Sequence, residues 1–402
     1  MTISKRMPAP AREISRKAAI VGIGETDYRY DYDAHRARAP GYEAPTVESL
    51  SIVAFERALT DCGLERGDID GLSVSYTMGG AEPPELAKIL GLNPRYCVAN
   101  GNIMAGPLPV VSVAIANGEA DTVAMVFAVA YRSRGSKFGG NVTNTEGVPS
   151  SYYSFHPWGW SSQAAHSALG FTYYQAKYGA REEDLGSVAI QVREHAIGQA
   201  NAVMQSPITM EAYMASRYIV RPLHLFDICL VNDGAVCLIV RRSDLAKNMP
   251  HPPVLVAGWG ASRVKNSKMH VMVREQLRPL MQEAGGQALG MAGVPLSRVR
   301  HFEGYDASTI HLINQVEGYG FAEPGAGIEF CKHGQLTIGG RLPTNMAGGN
   351  LSGSYMQGWS QIPEVVRQLR HEAVHQIPSI ETSMSSLLQT EQAHPIIFTR
   401  ES

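Results

Sequence analysis

Tyr355 closes a glycine-dense segment, Gly339 to Tyr355, that contains neither a histidine nor a cysteine. A bulky phenol has no packing reason to end such a loop, so Tyr355 is the first candidate for moving a proton. A second phenol, Tyr305, ends an expected strand and is followed by Asp306. Taken alone, a tyrosine at a strand end reads as a core residue with its hydroxyl at the rim. Asp306 either is buried and hydrogen-bonded to backbone or tunes Tyr305. A free phenol titrates near 10, so a catalytic one needs a donor or a positive field that favours the phenolate, and no such partner is legible in the sequence.

Other groups are weaker candidates. Asn100-Gly101-Asn102 lies between a strand and a helix, where unbonded N–H groups could face a carbonyl oxygen, although its glycine also suits a plain tight turn. His156 sits in the aromatic stretch Tyr152–Trp160 and is a reserve acid or base; those aromatics either line an apolar pocket or pin the loop. His311 falls on a helix beyond Asp306 and reads as a packing or surface residue. Cys62, Cys97, Cys229, Cys237 and Cys331 are scattered with no C-x-x-C pair, which suggests free thiols rather than disulfides or zinc.

The positions of these residues depend on an α/β chain. With 402 residues and 44% hydrophobic content, the length suits two domains or one duplicated unit. A net charge of −2 with interspersed signs gives no case for nucleic acid or an anionic membrane. No apolar window reaches the roughly 18 residues of a membrane span. The basic, proline-containing start, residues 1–16, reads as a loose arm without a secretory signal, which places the protein in the cytoplasm. No phosphate-binding G-x-x-x-x-G-K-[ST] loop occurs, Gly22 to Asp27 lacks the third glycine of a dinucleotide fingerprint, and no His or carboxylate set has metal-ligand spacing. Neither a nicotinamide cofactor nor a metal is expected.

Along the chain, Lys17–Gly24 reads as a buried strand, Tyr28–Pro45 as an exposed excursion, Thr46–Cys62 as a helix with Thr46 as N-cap, and Asp70–Tyr76 as a strand. A strand ending near Ala99, a helix from Pro107 to Asn117 and a strand from Thr122 to Ala130 make a βαβ unit, which implies parallel pairing. Arg132–Trp160 is a long loop, of the kind that carries function. Helices are expected over Ser162–Tyr178 and Glu183–Ala200, then a buried strand over Asp233–Val240. The order then repeats: strand Val254–Gly258, helix Met272–Met291, strand Arg298–Tyr305, helix Thr309–Gly320, the glycine loop, and helix Gln357–Leu369. The letters alone are too different to establish a repeat.

Ala18–Thr26, Ala114–Asp121, Arg221-Pro222-Leu223 with Asp233-Gly234-Ala235, Tyr305-Asp306, Gly339–Pro343, Gly348-Gly349 and Val366–Arg370 occur in an order that resembles the thiolase superfamily. The resemblance is closest to its lipid-transfer-protein (sterol carrier protein) thiolase-like branch, which includes the steroid side-chain-cleaving aldolases. It implies a duplicated thiolase-like αβαβα five-layer sandwich with mixed sheets, in which residues 17–245, including a loop region over 131–222, and residues 250–402 form the halves. Members of this superfamily are usually at least dimers.

The departures from the thiolase pattern define the expected chemistry. Thiolases carry GG-x-x-x-GHP in the late loop, and Ser354 and Tyr355 stand where His-Pro would be. The nucleophilic cysteine falls at about Gly101, and Cys97 is roughly 13 Å upstream along an extended strand. Tyr305 precedes Asp306 where an NEAF- or HDCF-type motif would supply Asn or His. The aldolases carry a Tyr-Asp pair and a loop ending in tyrosine, and the resemblance assigns their catalytic phenols to Tyr305 and Tyr355, with Asp306 beside them. It further implies a thioester site lined by Asn100, Gly101, Asn102, His156, Gly348, Gly349 and Ser354, with coenzyme A as part of the substrate and no covalently held cofactor. Losing cysteine and histidine removes covalent acyl transfer. Retro-aldol cleavage of a β-hydroxyacyl-CoA to a ketone or aldehyde and a shorter acyl-CoA is the expected reaction, with two oxyanion-stabilising turns holding the enolate. An acyltransferase using Cys97 and a non-catalytic CoA-binding subunit are the alternatives. The resemblance also implies a small DUF35 partner, an OB-fold with a zinc ribbon.

Overall fold

The computed structural model describes residues 12–76, 80–100, 106–135, 163–263, 274–389 and 392–400. The first half contains β1 (Ala18–Glu25), α1 (Tyr28–Ala37), α2 (Val47–Cys62), β2 (Gly71–Tyr76), α3 (Pro83–Ile89), β3 (Tyr96–Ala99), α4 (Pro107–Ala116) and β4 (Thr122–Ala130). Helices α5 (Gln163–Tyr178), α6 (Glu182–Ala196) and α7 (Met210–Ala215) and the ribbon β5 (Tyr218–Val220) and β6 (Leu223–His224) precede β7 (Asp233–Arg242). The second half contains β8 (Val254–Trp259), β9 (Ser262–Arg263), α8 (Arg274–Ala292), β10 (Phe302–Gly304), α9 (Thr309–Gly318), α10 (Gly327–Cys331), α11 (Gln361–Arg370), β11 (Thr382–Gln389) and β12 (Gln392–Arg400).

Strand order supplies the repeat that the letters hide. The path β10-β11-β12-β8-β1-β7-β4-β2-β3 contains β2-β4-β7-β1 and β10-β11-β12-β8 as mirror-placed runs. In each run the first pair is parallel and the next two are antiparallel. The halves join where β1 pairs with β8.

Five layers follow from which strand faces are apolar. Helices α2 and α3 cover one face of the first sheet through Leu50, Phe55, Leu72, Val126 and Ile239. Helices α4 and α11 fill the space between the two sheets, with Leu108, Val111, Val365 and Leu369 packed against Phe127, Leu238, Val256 and Phe398. Helices α8, α9, α5 and α6 cover the far face of the second sheet at Phe302, Met384 and Ile397.

The paired glycines in β1 and at the end of β8 have the same use in both halves. A Cβ on Gly24 would lie 2.0 Å from the Ala54 carbonyl oxygen in α2, and one on Gly260 would lie 1.9 Å from the Ala284 oxygen in α8. Gly22 and Gly258 would meet the oxygens of Ala58 and Ala288 at 2.6 and 2.4 Å. These glycines therefore set how closely each sheet approaches its outer helix, beyond closing a strand.

Several expectations change. Tyr28–Pro45 is not a mere excursion: it contains α1, which buries Tyr28 and Ala34 against the core and leaves its charged residues outward. The expected strand over Arg298–Tyr305 is only β10, because residues 296–298 form a 3-10 turn. Helix α11 starts at Gln361 rather than Gln357, whose φ of 51° is incompatible with a right-handed helix. The loop over Arg132–Trp160 lies mostly outside the described residues. The hairpin β11–β12 was not anticipated, since buried strands show no alternation.

Substituting Gly24 or Gly260 with alanine should destabilise the fold by about 2–3 kcal/mol each, because a rigid helix backbone must move to admit the methyl group. The check is the denaturant midpoint at unchanged slope. A midpoint equal to wild type would contradict the close-approach account.

Candidate active site

Tyr305 stands immediately after β10, and three neighbours fix its backbone. Its N–H donates to Ser386 O in β11 at 2.8 Å, and its carbonyl accepts Gln315 Nε2 from α9 at 2.8 Å. The preceding peptide is clamped by Asn345, whose Oδ1 accepts Gly304 N–H and whose Nδ2 donates to Gly304 O, both at 2.9 Å. Asn345 thus acts as a strand neighbour for β10 while belonging to the glycine loop. That arrangement ties the two loops together.

Tyr355 follows a wide turn over Gly349–Gly353, where Ser352 and Gly353 N–H both donate to Gly348 O. Its own N–H donates to Asn232 Oδ1 at 2.7 Å. The turn is held from below by Asp306, whose Oδ1 accepts Asn350 N–H and Asn350 Nδ2, each at 2.8 Å. A Cβ on Gly349 would lie 2.3 Å from Asp306 Oδ2, so glycine is what lets the carboxylate reach the turn. From the side, Arg193 Nε donates to Ser352 Oγ at 2.7 Å. Val203 and Met204 N–H donate to Gly353 and Ser352 carbonyls at 2.8 and 3.0 Å.

The result is a pair of phenols from separate loops with hydroxyl oxygens 3.0 Å apart. Both residues are 7% exposed. Burial pushes both hydroxyls above the ordinary tyrosine range, and within the pair the hydrogen bond from Tyr355 favours a negative Tyr305. Burial also raises Asp306 to about 6, against backbone N–H donors that lower it, so it is ionised at neutral pH. The Cys229 thiol is pushed up by burial and by nearby Asp306. It therefore faces the pair as a neutral thiol, a poor nucleophile. His311 stands edge-on to Tyr305, with ring centroids 6.1 Å apart, and accepts or donates at Ser308 Oγ across 2.7 Å. It is the packing histidine of the two readings, kept neutral by burial with its pKa lowered to about 4.

The structure brings Tyr305, Tyr355 and Asp306 together with Gly348 and Gly349. The glycines serve close approach and turn geometry here, and the N–H groups of Asn350 and Leu351 are taken by Asp306. Those two N–H groups are therefore engaged by the carboxylate. Ser354 has extended backbone, so its side chain points opposite to that of Tyr355. It lines a cavity of about 270 Å³ with Glu25, Tyr28, Gln361 and Arg367 rather than joining the phenols. Asn100 binds β2 through Nδ2 to Ser73 Oγ at 2.8 Å. Gly101, Asn102 and His156 lie outside the described residues. Cys97 packs on the outer-helix side of the first sheet, whereas the phenols belong to the core between the sheets. The cysteine-based acyltransferase reading loses its nucleophile with that placement. Sequence reasoning missed Asn232, Asn345 and Asn350, for which no local signal exists beyond asparagine in a glycine loop.

Because the folded Asp306 carboxyl titrates near 6 rather than 3.8, its contribution is fully present below 3.8 and is lost as pH rises through about 6. Asp306→Asn should remove that part of the pH dependence and flatten stability between those values. Parallel denaturation series across this range provide the check, and an unchanged slope would contradict the burial assignment.

Residues 261–390 match the family described as Thiolase C-terminal domain-like. The chain is 32% identical over 373 residues to a steroid side-chain-cleaving aldolase of Thermomonospora curvata, covering 89% of this chain and 92% of the relative. It is 31% identical over 384 residues to the 17-hydroxy-3-oxo-4-pregnene-20-carboxyl-CoA lyase of Mycobacterium tuberculosis, covering 92% and 95%. It superposes on the Ltp2-ChsH2(DUF35) aldolase with a TM-score of 0.85 at 30% identity, over 96% of this chain and 98% of that one. Human mitochondrial 3-ketoacyl-CoA thiolase in complex with CoA shares the fold, with a TM-score of 0.68 at 14% identity over 96% and 98% of the two chains. With paired phenols at the expected loops and relatives matched over nearly their full length, this chain belongs to the thiolase superfamily, within the family of the steroid side-chain-cleaving aldolases.

Proposed function

We propose that this protein cleaves the Cα–Cβ bond of a β-hydroxyacyl-CoA by a retro-aldol reaction, with Tyr305 and Tyr355 moving the proton. The observation that carries the reading is the 3.0 Å contact between two buried hydroxyls on separate loops. One phenolate, favoured at Tyr305 by the Tyr355 hydrogen bond, takes the β-hydroxyl proton. The Cα–Cβ electron pair then passes to the thioester as the carbonyl forms. A phenol returns a proton to Cα, and transfer across the hydrogen bond restores the pair. The proton removed from oxygen equals the one delivered to carbon, so the cycle needs no cofactor beyond the coenzyme A of the substrate.

The names of the two lyases support a steroid side chain as the acyl group. The DUF35 component of the superposed aldolase supports a small OB-fold, zinc-ribbon partner for this chain. A homodimer is supported by β3, which lies at the end of the strand path with a partly exposed side. Residues 17–245 and 250–402 are read as the two halves, with 1–16 as an arm. No helix among the described residues is long and apolar enough to cross a membrane, and a cytoplasmic location fits a CoA-thioester substrate.

Co-expression with a DUF35 partner, followed by mass spectrometry of a β-hydroxyacyl-CoA panel, should reveal a released ketone or aldehyde and a shortened acyl-CoA. Tyr355→Phe and Tyr305→Phe should each lower turnover by about 10²-fold or more while leaving thioester binding in place. Near wild-type turnover in Tyr355→Phe would sink the assignment. Binding without turnover across the panel would favour a non-catalytic CoA-binding subunit.

A further inference from the structure

A second buried carboxylate stands at the head of a segment that reaches both phenol-bearing loops. Asp227 ends a 3-10 turn over Leu225–Asp227 and is buried. Its Oδ2 accepts the Tyr213 hydroxyl of α7 at 2.6 Å and the His224 N–H at 2.8 Å. Its Oδ1 accepts the hydroxyl of Thr309, the first residue of α9, at 2.7 Å. An ionised carboxyl satisfies all three donors, whereas protonation places an O–H among them and weakens the charge-assisted bonds. From Asp227 the chain runs between the two loops. Ile228 bridges to Ser308, and Cys229 N–H donates to Ala307 O at 3.1 Å. Leu230 N–H then donates to Asn350 O at 3.0 Å, and Asn232 Oδ1 accepts the Tyr355 N–H at 2.7 Å. The segment 227–232 is thus fastened first to the loop after Tyr305 and then to the turn that ends in Tyr355.

We infer that Asp227 is a positioning residue for the tyrosine pair: by fixing the start of segment 227–232 to α9, it sets the offset between the backbones of Tyr305 and Tyr355. It acts through Thr309 and through the segment. Burial raises its carboxyl to about 6, while the hydroxyls of Tyr213 and Thr309, the His224 N–H and the His224 charge pull it down. The charged and titratable groups on the surrounding elements are directed elsewhere. His224 turns Nε2 to Glu182 of α6 and Nδ1 to Ser216 O, each at 2.9 Å. Tyr218 of β5 also donates to Glu182, at 2.9 Å. Arg193 of α6 lies over the Phe226 ring at 5.7 Å and donates to Ser352 and Ser206. His311 of α9 faces Ser308 Oγ, and Asp306 holds Asn350.

This inference rests on the retro-aldol reading, and the test separates the two. The ionised form of Asp227 holds the segment, so kcat should be kept above about pH 6 and fall as pH drops through it. Asp306 titrates in the same range, and the Asp227 part is isolated by Thr309→Val and Tyr213→Phe, since those hydroxyls donate to Asp227. Each variant removes a donor that favours the carboxylate. The acid limb of kcat should therefore move up by about one pH unit, lowering the rate about tenfold below the limb, with KM for the thioester nearly unchanged. Thr309→Ser keeps the hydroxyl and should keep the wild-type limb. Circular dichroism at each pH establishes that the variants are folded where kcat is read, and Thr309→Val, which exchanges one hydroxyl for a methyl group, carries the test if Tyr213→Phe folds poorly. If the folded variants leave the limb in place, or if Thr309→Ser moves it as far as Thr309→Val, while Tyr355→Phe is inactive, the positioning role is wrong and the retro-aldol reading stands. If Tyr355→Phe itself turns over normally, the underlying reading is what fails.

Discussion

The site depends on a buried carboxylate held by N–H groups. Asp306 takes the N–H and side-chain amide of Asn350 at 2.8 Å, and this contact joins the loop after β10 to the turn before Tyr355. Desolvation opposes the charge and raises its pKa to about 6, while the N–H donors offset much of that cost. Removing the acid would leave the turn's N–H groups buried and unpaired, and removing Gly349 would close the space the acid occupies. The phenols meet because two backbones are locked to one another through this group and through Asn345. Attraction between two hydroxyls alone could not hold loops of that length.

The duplicated fold explains why the loops converge. Each half runs from a parallel pair through two antiparallel pairs to its own first strand, as β2-β4-β7-β1 and β10-β11-β12-β8, and the two runs meet at the β1–β8 pair. Tyr305 and Tyr355 both come from the second half, Tyr305 directly after β10 and Tyr355 in the connection between α10 and α11. The first half contributes the wall: Tyr131 from the end of β4 and Asn232 from the residue before β7. A site built across the two halves needs fixed spacing between the sheets, and the close glycine contacts of β1 and β8 with their outer helices hold each sheet to its layer.

What the sequence made legible follows a physical pattern. Tyr355 was visible because a phenol that ends a glycine loop is out of place locally, whereas Tyr305 alone reads as a core residue and stood out only through the resemblance. Buried strands with strong apolar runs, such as β4 and β7, were equally visible. Asn232 and Asn345 were not, because their hydrogen bonds join residues separated by 123 and 41 positions, and an asparagine in a loop reads the same whether it clamps a strand or faces water. Helix α1 was missed because it buries only Tyr28 and Ala34, too few positions to impose a period. In β11 the serines Ser383, Ser385 and Ser386 are all buried, so the expected link between polarity and exposure fails there.

The pair also limits how protonation can be described. Two phenols 3.0 Å apart in a buried site cannot both ionise, since the second charge would meet the first at close range. The pair therefore loses one proton as a unit, and the remaining proton sits between the oxygens. Burial by itself makes even that single loss difficult. A thiolase nucleophile needs a group that stays anionic long enough to attack carbon, but a retro-aldol base needs only to accept a proton as the bond breaks. A shared proton on two weak acids suits the second task and fails the first. A paired phenol site without the thiolase cysteine and histidine therefore suits the proton transfer that the proposed retro-aldol reaction needs.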